Sequence, residues 1–359
     1  ILLLSSSVFL AVEGTWNFGI FHHWTFITVI VLVLMALGLT SANDFSHKSI
    51  SAFLSHSGVF LVLWGGLFGA PDSTNAFLKV YKGGSDEHIA VDDSGYAVPL
   101  PFSVSLDDFN IDYYEDGASP KQYISTISID GRKLQTSVNH PCRYKGYRIY
   151  QSGYDMDYSV LKIVRDPWLP VVAVGALMLL LGALLSLKTA WSNWKILVVV
   201  FLFAVVFALI SLARISFGTL PPALRSLWFV PHLIVYMLAY SILALAVIFG
   251  LASRFSAKVP DGLPGKLLST ASSLLLIGMM CGAVWAKQAW GDYWTWDAKE
   301  CWAAATWLLT LAGTHVPGKR LKYTFAVISF LAMQMTWYGV NYLPSSMQSL
   351  HTYNQEKSI

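Results

Sequence analysis

Imidazole is the side chain in this sequence best suited to hold a transition metal, and a neutral ring nitrogen is a standard axial ligand of iron in a porphyrin. Nine histidines occur. Four of them, His56, His232, His315 and His351, fall at the borders of long apolar runs. His56 and His315 belong to one border, His232 and His351 to the other, so the four sort into two pairs by depth. Ionisable residues in apolar spans are costly and usually face a partner or a cavity. Two imidazoles at each of two depths are what two bis-histidine metal or haem sites would require. Zinc is disfavoured, because no carboxylate or thiolate stands at ligand spacing beside any of the four. Taken singly, each could instead be an interfacial or helix-capping residue. His22 and His23, at the end of an apolar run, are read as structural. His47 beside Lys48 is read as solvated, and His88 and His140 as surface or packing residues.

The densest aromatic signal runs from Trp290 to Trp302 and reads WGDYWTWDAKECW. It holds Trp290, Trp294, Trp296 and Trp302 with Tyr293 among thirteen residues. An aromatic belt at a membrane surface accounts for one or two tryptophans per helix end. It does not account for a run that also carries Gly291, Asp297 and Glu300 at fixed offsets. Indole rings supply an apolar floor with an N–H donor at the edge, which suits a planar macrocycle. Asp297 and Glu300 share a helix face at i, i+3. Carboxylates would repel the macrocycle's own carboxylates, so both are read as structural: capping, or pairing with Lys299 or a nearby arginine. Cys142, Cys281 and Cys301 show no CxxC, zinc or disulfide spacing and are read as inert packing.

These residues need elements to position them. The chain has 359 residues, 55% apolar and 13% charged. Soluble domains carry about a quarter charged residues, so a soluble enzyme is excluded. A net charge of +3 without a basic stripe gives no footprint for nucleic acid. Windows of about 20 apolar residues fall near 24–40, 52–69, 167–187, 195–213, 230–252, 267–286 and 323–343, with a shorter run at 302–316. The run 1–12 reads as the tail of a truncated span, since the chain opens at Ile1 without a methionine. The fold class expected is an α-helical polytopic membrane protein of about nine spans. Between 70 and 166 the sequence turns acidic, with alternating stretches such as Tyr123–Ile129, which predicts a small β-rich aqueous domain. Lys48, Lys188, Lys195, Arg254, Lys258, Lys266, Lys319, Arg320 and Lys322 lie in one set of loops, and Arg214, Arg225, Lys287, Lys299 and Lys357 in the other. The positive-inside rule makes the first set cytoplasmic. The β-rich domain, the tryptophan loop and the C-terminus then face outward.

Trp290-Gly-x-x-Trp-x-Trp-Asp-x-Lys-Glu300 resembles the WWD motif of haem-handling proteins of cytochrome c biogenesis. His315, nineteen residues after Trp296, matches the second transmembrane histidine of the CcsA side of System II. Leu227-Trp-Phe-Val-Pro-His232 resembles the segment of the first external histidine, and Trp337-Tyr-Gly-Val-Asn-Tyr342 the segment before the last. The front half is similar to CcsB, or ResB: Ser55-His-Ser-Gly58 with Gly65–Asp72 maps a transmembrane histidine to His56, and Val138–Asp155 matches the end of its outer domain. Three positions depart. Ala298 stands where proline is usual, Cys301 where threonine is, and Gln348 aligns with the last histidine, so that role passes to His351 only across a three-residue insertion.

The resemblance implies a CcsB–CcsA fusion, a System II cytochrome c synthase, of the bacterial inner membrane. Its divisions would be CcsB-like helices (1–69), an outer domain (70–166), a last CcsB-like span (167–187) and a CcsA-like region (188–359) carrying the WWD loop (290–302). It implies haem b as cofactor, axial ligation by His56 with His315 and by His232 with His351, and a haem seat of Trp290, Gly291, Trp294, Trp296, Asp297 and Trp302. It assigns the catalytic role to His232 and His351. The partners implied are haem, an apocytochrome c offering CXXCH, thiol-reducing proteins and the lipid membrane. The activity implied is covalent attachment of haem through thioethers on the outer face. Two other readings stay open: a haem exporter or chaperone without ligation, and a di-haem b-type quinol oxidoreductase.

Overall fold

A computed structural model describes residues 1–20, 23–155, 157–190, 202, 219–255, 262–343 and 345. Within the described residues the apolar runs form helices. These are α1 (Leu2–Trp16), α2 (Trp24–Ser46), α3 (Ile50–Gly69), α4 (Leu169–Ala190), α5 (Phe229–Phe255), α6 (Leu263–Trp290), α7 (Ala298–His315) and α8 (Lys319–Trp337). Among the described residues five segments are long and apolar enough to cross a membrane: Trp24–Ser46, Ile50–Asp72, Leu169–Leu187, Phe229–Ser253 and Leu263–Trp290. The expected span 195–213 lies outside the described residues. The expected span 323–343 is shifted: its helix starts at Lys319 and ends at Trp337, followed by a 3-10 turn at Gly339–Tyr342. A hydropathy window discounts Lys319, Arg320 and Lys322, but the helix is delimited by its backbone, which breaks at Gly318 with φ 77°.

Between α3 and α4 lie eight strands: β1 (Thr74–Tyr81), β2 (Glu87–Asp92), β3 (Ala97–Tyr113), β4 (Pro120–Ile129), β5 (Arg132–Ser137), β6 (Cys142–Tyr144), β7 (Tyr147–Tyr154) and β8 (Tyr158–Arg165). They form one antiparallel sheet in the order β5-β4-β3-β2-β1-β8-β7-β6. The sheet curls on itself. Thr136 of β5 donates to the Ile149 carbonyl of β7 at 2.7 Å, and Ser125 of β4 donates to Gln151 of β7 at 2.6 Å, although neither pair of strands is adjacent. The enclosed core contains Leu78, Val80, Val104, Ile127, Ile149, Leu161 and Ile163. In the alternating run Tyr123–Ile129 the inward set is Ser125, Ile127 and Ile129. The buried Ser125 hydroxyl is satisfied by Gln151 and Ser159, which removes the penalty of placing it inside.

Two antiparallel helices join this domain to the bundle, α3 running toward it and α4 away. Their seam is built from small residues, the usual way for apolar helices to approach closely. A Cβ on Gly58 would lie 2.7 Å from the Gly175 carbonyl, and one on Gly175 would lie 2.9 Å from that of Gly58. Ser51 donates to the Gly182 carbonyl at 3.1 Å across the same seam. Beyond it, α4 packs on α6, α6 on α5 and α7, and α7 on α1 and α8.

The sheet also grips the far half of the chain. Tyr114 donates to the Leu220 carbonyl, Asn139 to that of Pro222, and Arg225 to that of Lys121. Lys162 pairs with Asp292, which also accepts from Asn75. These contacts put the start of α5 and the end of α6 at the sheet's end of the bundle. His232 is three residues into α5, and the tryptophan loop lies at the same level. His56 stands thirteen residues, roughly 20 Å of helix, from the sheet end of α3. His315 closes α7, roughly 25 Å from its first turn at the loop. The helices therefore separate the histidines into two levels.

Replacing Gly58 by leucine drives a side chain into the α4 backbone. It should cost about 1–3 kcal/mol, read as a lowered midpoint of thermal unfolding in detergent. Gly66→Ala, where an added Cβ meets nothing within 4 Å, should leave that midpoint in place.

Candidate functional site

Both ends of the tryptophan loop are fixed by their own residues. Gly291 ends α6 with φ 92°, and a Cβ there would lie 3.1 Å from the Tyr150 ring of β7, so only glycine fits. Lys287 donates from the last turn of α6 to the Gly291 carbonyl at 2.8 Å. At the other end Asp297 is the N-cap of α7, its carboxylate accepting from the Glu300 N–H at 2.9 Å. Glu300 reaches back to accept from the N–H and hydroxyl of Thr295 at 2.6 and 3.1 Å. Trp296 turns the chain with φ 60°, and its carbonyl accepts from the Cys301 thiol at 3.1 Å. Asp297 and Glu300 thus hold the loop's shape.

The four loop tryptophans take separate places. Trp294 lines a cavity of about 260 Å³ together with His232, Tyr240, Lys299, Glu300 and Trp337. Its indole N–H is buried with no hydrogen-bond partner among the described residues. Trp296 packs edge-on against Trp294, with centroids 5.8 Å apart. Trp290 packs edge-on against Trp285 at 5.3 Å. Trp302 lies beside α1, where a Cβ on Gly14 would be 3.0 Å from its ring. The aromatic wall nearest His232 is made instead by Trp285, Tyr236 and Phe229. Trp285 lies 5.7 Å and Tyr236 4.9 Å from the imidazole, and Phe229 lies 5.1 Å from Trp285.

Those neighbours were not in the sequence-derived set, nor were the two glycines that admit them. A Cβ on Gly282 would lie 2.7 Å from Cε1 and Nδ1 of His232, and one on Gly278 would lie 2.8 Å from the Tyr236 ring. Gly278-x-x-x-Gly282 is therefore a groove on α6 that receives His232 and Tyr236, themselves four residues apart on α5. The small-xxx-small spacing is the signal that could have found it.

The three predicted ligand histidines within the described residues share one feature. His232 Nδ1 lies 2.8 Å from the Gly278 carbonyl, His56 Nδ1 2.6 Å from the Asp44 carboxylate, and His315 Nδ1 2.9 Å from the Leu311 carbonyl. Carbonyl and carboxylate oxygens only accept, so Nδ1 is the donor in each of these contacts, and a neutral ring donating there has its lone pair on Nε2; the Thr314 hydroxyl also lies 3.0 Å from His315 Nδ1. Asp44 is a carboxylate beside a predicted ligand that sequence spacing did not reveal. It lies twelve residues upstream, and the α2–α3 turn brings it over. No hydrogen bond or ring contact joins His56 to His315 among the described residues. His351 lies outside the described residues, as does Gln348. Of the cysteines, Cys142 sits at the sheet edge, where burial pushes its thiol up to about 11. At neutral pH it is a protonated, unreactive thiol.

The profile described as "Cytochrome C assembly protein" matches residues 168–348. The chain belongs to that family. A second profile, "ResB-like family", matches residues 41–158, so the chain joins a ResB-like and a cytochrome c assembly region, consistent with a ResB–CcsA fusion. Among curated relatives named cytochrome c biogenesis protein CcsA, that of Guillardia theta is 33% identical over 193 residues, 42% of this chain and 63% of the relative. That of Gloeobacter violaceus is 38% identical over 103 residues, 27% of this chain and 29% of the relative. That of Porphyra purpurea is 40% identical over 99 residues, 26% of this chain and 30% of the relative. The chain thus spans less than two thirds of each of these relatives. In this family member the cytochrome c assembly region carries α4–α8, hence His232, the loop and His315, while the ResB-like region carries His56 and all the strands through β7.

Two substitutions test this geometry. Gly282→Ala should force the His232 ring off the Gly278 carbonyl at a cost of about 1–3 kcal/mol, seen as a changed imidazole 15N shift for that histidine. Asp297→Ala should remove the α7 cap and cost about 1 kcal/mol, read from thermal unfolding of the detergent-solubilised chain.

Proposed function

We propose that this protein serves cytochrome c biogenesis as a holocytochrome c synthase, binding haem b, carrying it across the membrane and joining it covalently to apocytochrome c. The observation that carries the reading is the oxygen acceptor within 2.9 Å of Nδ1 in each of three histidines. Three histidines at two levels each present Nε2 as the electron-pair donor, and each is oriented through Nδ1 by an oxygen acceptor, as metal-ligating histidines are. His56 and His315 form the inner site in this reading, and His232 with His351 the outer one. Asp44 orients the His56 ring through Nδ1 at 2.6 Å.

At the outer level Trp294 and Trp337 supply apolar walls, and the buried Trp294 N–H is a donor suited to a polar edge of the macrocycle. The cavity of about 260 Å³ falls below the roughly 300–1,000 Å³ usual for small-molecule sites. The described residues therefore build one part of a seat, and Gly291, Asp297 and the remaining tryptophans act by holding the loop in place. The substrate's two cysteine thiols add across the two vinyl groups: each S–C bond forms as the thiol proton passes to the other vinyl carbon, with no net redox change. Positioning is the main contribution of the chain. His351 yields its place to the substrate's own histidine. Reduced thiols are required, which calls for thiol-reducing partners.

About nine spans in a bacterial inner membrane, with the β-sheet domain, the loop and the C-terminus outside, complete the reading. Its divisions are 1–69, 70–166, 167–187 and 188–359. Lys48, Lys266, Lys319, Arg320 and Lys322 at the end opposite the sheet support that orientation.

Co-expression with an apocytochrome c in a host lacking its own maturation system tests the activity. Covalent haem on the reporter is expected, with at least a tenfold loss in His232→Gly and in His351→Ala, and partial recovery of His232→Gly with added imidazole. Undiminished product in His232→Gly would overturn the outer site, and haem bound to this protein without any holocytochrome would favour an exporter. Asp44→Asn should lower haem affinity at the inner site by about 10–100-fold, measured as haem retained on purification.

A further inference from the structure

A second cavity, of about 410 Å³, opens on another face of α6, between its last turns and the β6–β7 edge of the sheet. Arg143, Arg148 and Lys287 line it together with Tyr150, Tyr293 and Asn139. Among the described residues no carboxylate lines it. Among the described residues the ion pairs are made by His56, Lys82, Lys133, Lys145 and Lys162, so none of the three cations facing the cavity has an acidic partner within pairing distance. Lys287 is only 6% exposed, and its ammonium is held by one carbonyl, that of Gly291, and by the face of Tyr293 at 4.9 Å. The carboxylates that act on it, Asp292 and Asp166, lie beyond pairing distance, and burying a cation without a paired carboxylate is costly. Tyr150 is 2% exposed, and its buried hydroxyl lies against the Arg148 guanidinium, which can only donate to it, so among the described residues its proton has no acceptor. Three cations and an unused hydroxyl donor therefore converge on one space.

We propose that this cavity is an oxyanion-binding site, taking a carboxylate or phosphate group of a ligand held at the membrane surface. Guanidinium groups match both oxyanions bidentately, and the cavity lies where a membrane-length helix meets the aqueous domain, the level of lipid headgroups. The same chemistry could come from a phospholipid phosphate or from the carboxylate side chains of haem, since Tyr293 belongs to the tryptophan loop. The second source rests on the function proposed above; the oxyanion site itself does not.

The test is calorimetric titration of the full chain in uncharged detergent with dioctanoyl phosphatidylglycerol, with haem and with haem dimethyl ester, which lacks the carboxylates. Arg148→Gln and the exposed, sheet-edge Arg143→Gln are compared with the parent. About a tenfold loss of phosphatidylglycerol affinity in either variant assigns the lipid source. A loss of the same size for haem but not for its ester assigns the haem source. Equal binding of all three probes to parent and variants overturns the proposal. His232→Gly separates this result from the outer haem site, because it should weaken haem and leave phosphatidylglycerol unchanged. Should Arg148→Gln not fold, Arg143→Gln alone decides.

Discussion

The absence of two side chains on α6 governs the geometry at the sheet's end of the bundle. With hydrogen at Gly278 and Gly282, α5 comes close enough for the His232 ring to lie in the groove and reach the Gly278 carbonyl at 2.8 Å. In an apolar helix pair there is little hydrophobic drive to association, so close packing and a hydrogen bond across the interface carry it. The same approach orients the imidazole. A wider separation would leave Nδ1 without its acceptor and the ring free to rotate about its side-chain bonds. Trp285 then closes the groove from above, its own N–H donated to the Ala223 carbonyl at 2.8 Å. Helix packing and site orientation are here one interaction.

The β-sheet domain acts on that site through the loop. Asp292 follows directly on the Gly291 cap and receives both Lys162 of β8 and Asn75 of β1. Lys162 is 8% exposed and Asp292 20%, so breaking the pair would strand a charge in a partly desolvated place. Its effect is positional: the loop cannot shift without moving away from two strands that pair with each other along their whole length. On the other side Asp297 and Glu300 tie the loop to the first turn of α7. Asn75 of the ResB-like region and Asp292 of the cytochrome c assembly region, far apart in sequence, are thereby joined at the loop.

Much of this was legible in the sequence, and the reasons differ element by element. The apolar runs and the acidic, alternating stretch announced helices and strands because burial imposes periods of 3.6 and 2. The Asp297 cap was legible because capping depends on neighbours three residues away. Asp44 was not, since its pairing with His56 depends on the angle of a turn. Nor was the dispersal of the four tryptophans. Their density reads as one surface, but Gly14 draws Trp302 to α1, and Trp290 leans on Trp285, a residue outside the motif. Ser125 shows the same limit inside the sheet: alternation assigned it a face, while its place in the core depends on Gln151 and Ser159, on strands far along the chain.

The separation of the histidines by depth follows from chain direction more than from any single contact. α3 ends at the sheet and α5 begins there, so a histidine near the start of each falls at opposite ends of the bundle. α7 begins at the loop and carries His315 in its final turn. An alternating bundle anchored at one end by a rigid domain converts position along a helix into depth, at 1.5 Å per residue. Within that frame the local partner of each ring differs: a carboxylate for His56, the carbonyl of a neighbouring helix for His232, and for His315 a carbonyl of its own helix. The carboxylate partner ties His56 on α3 to Asp44 on α2, and the carbonyl partner of His232 ties α5 to α6, so two of the three rings are also contacts between helices.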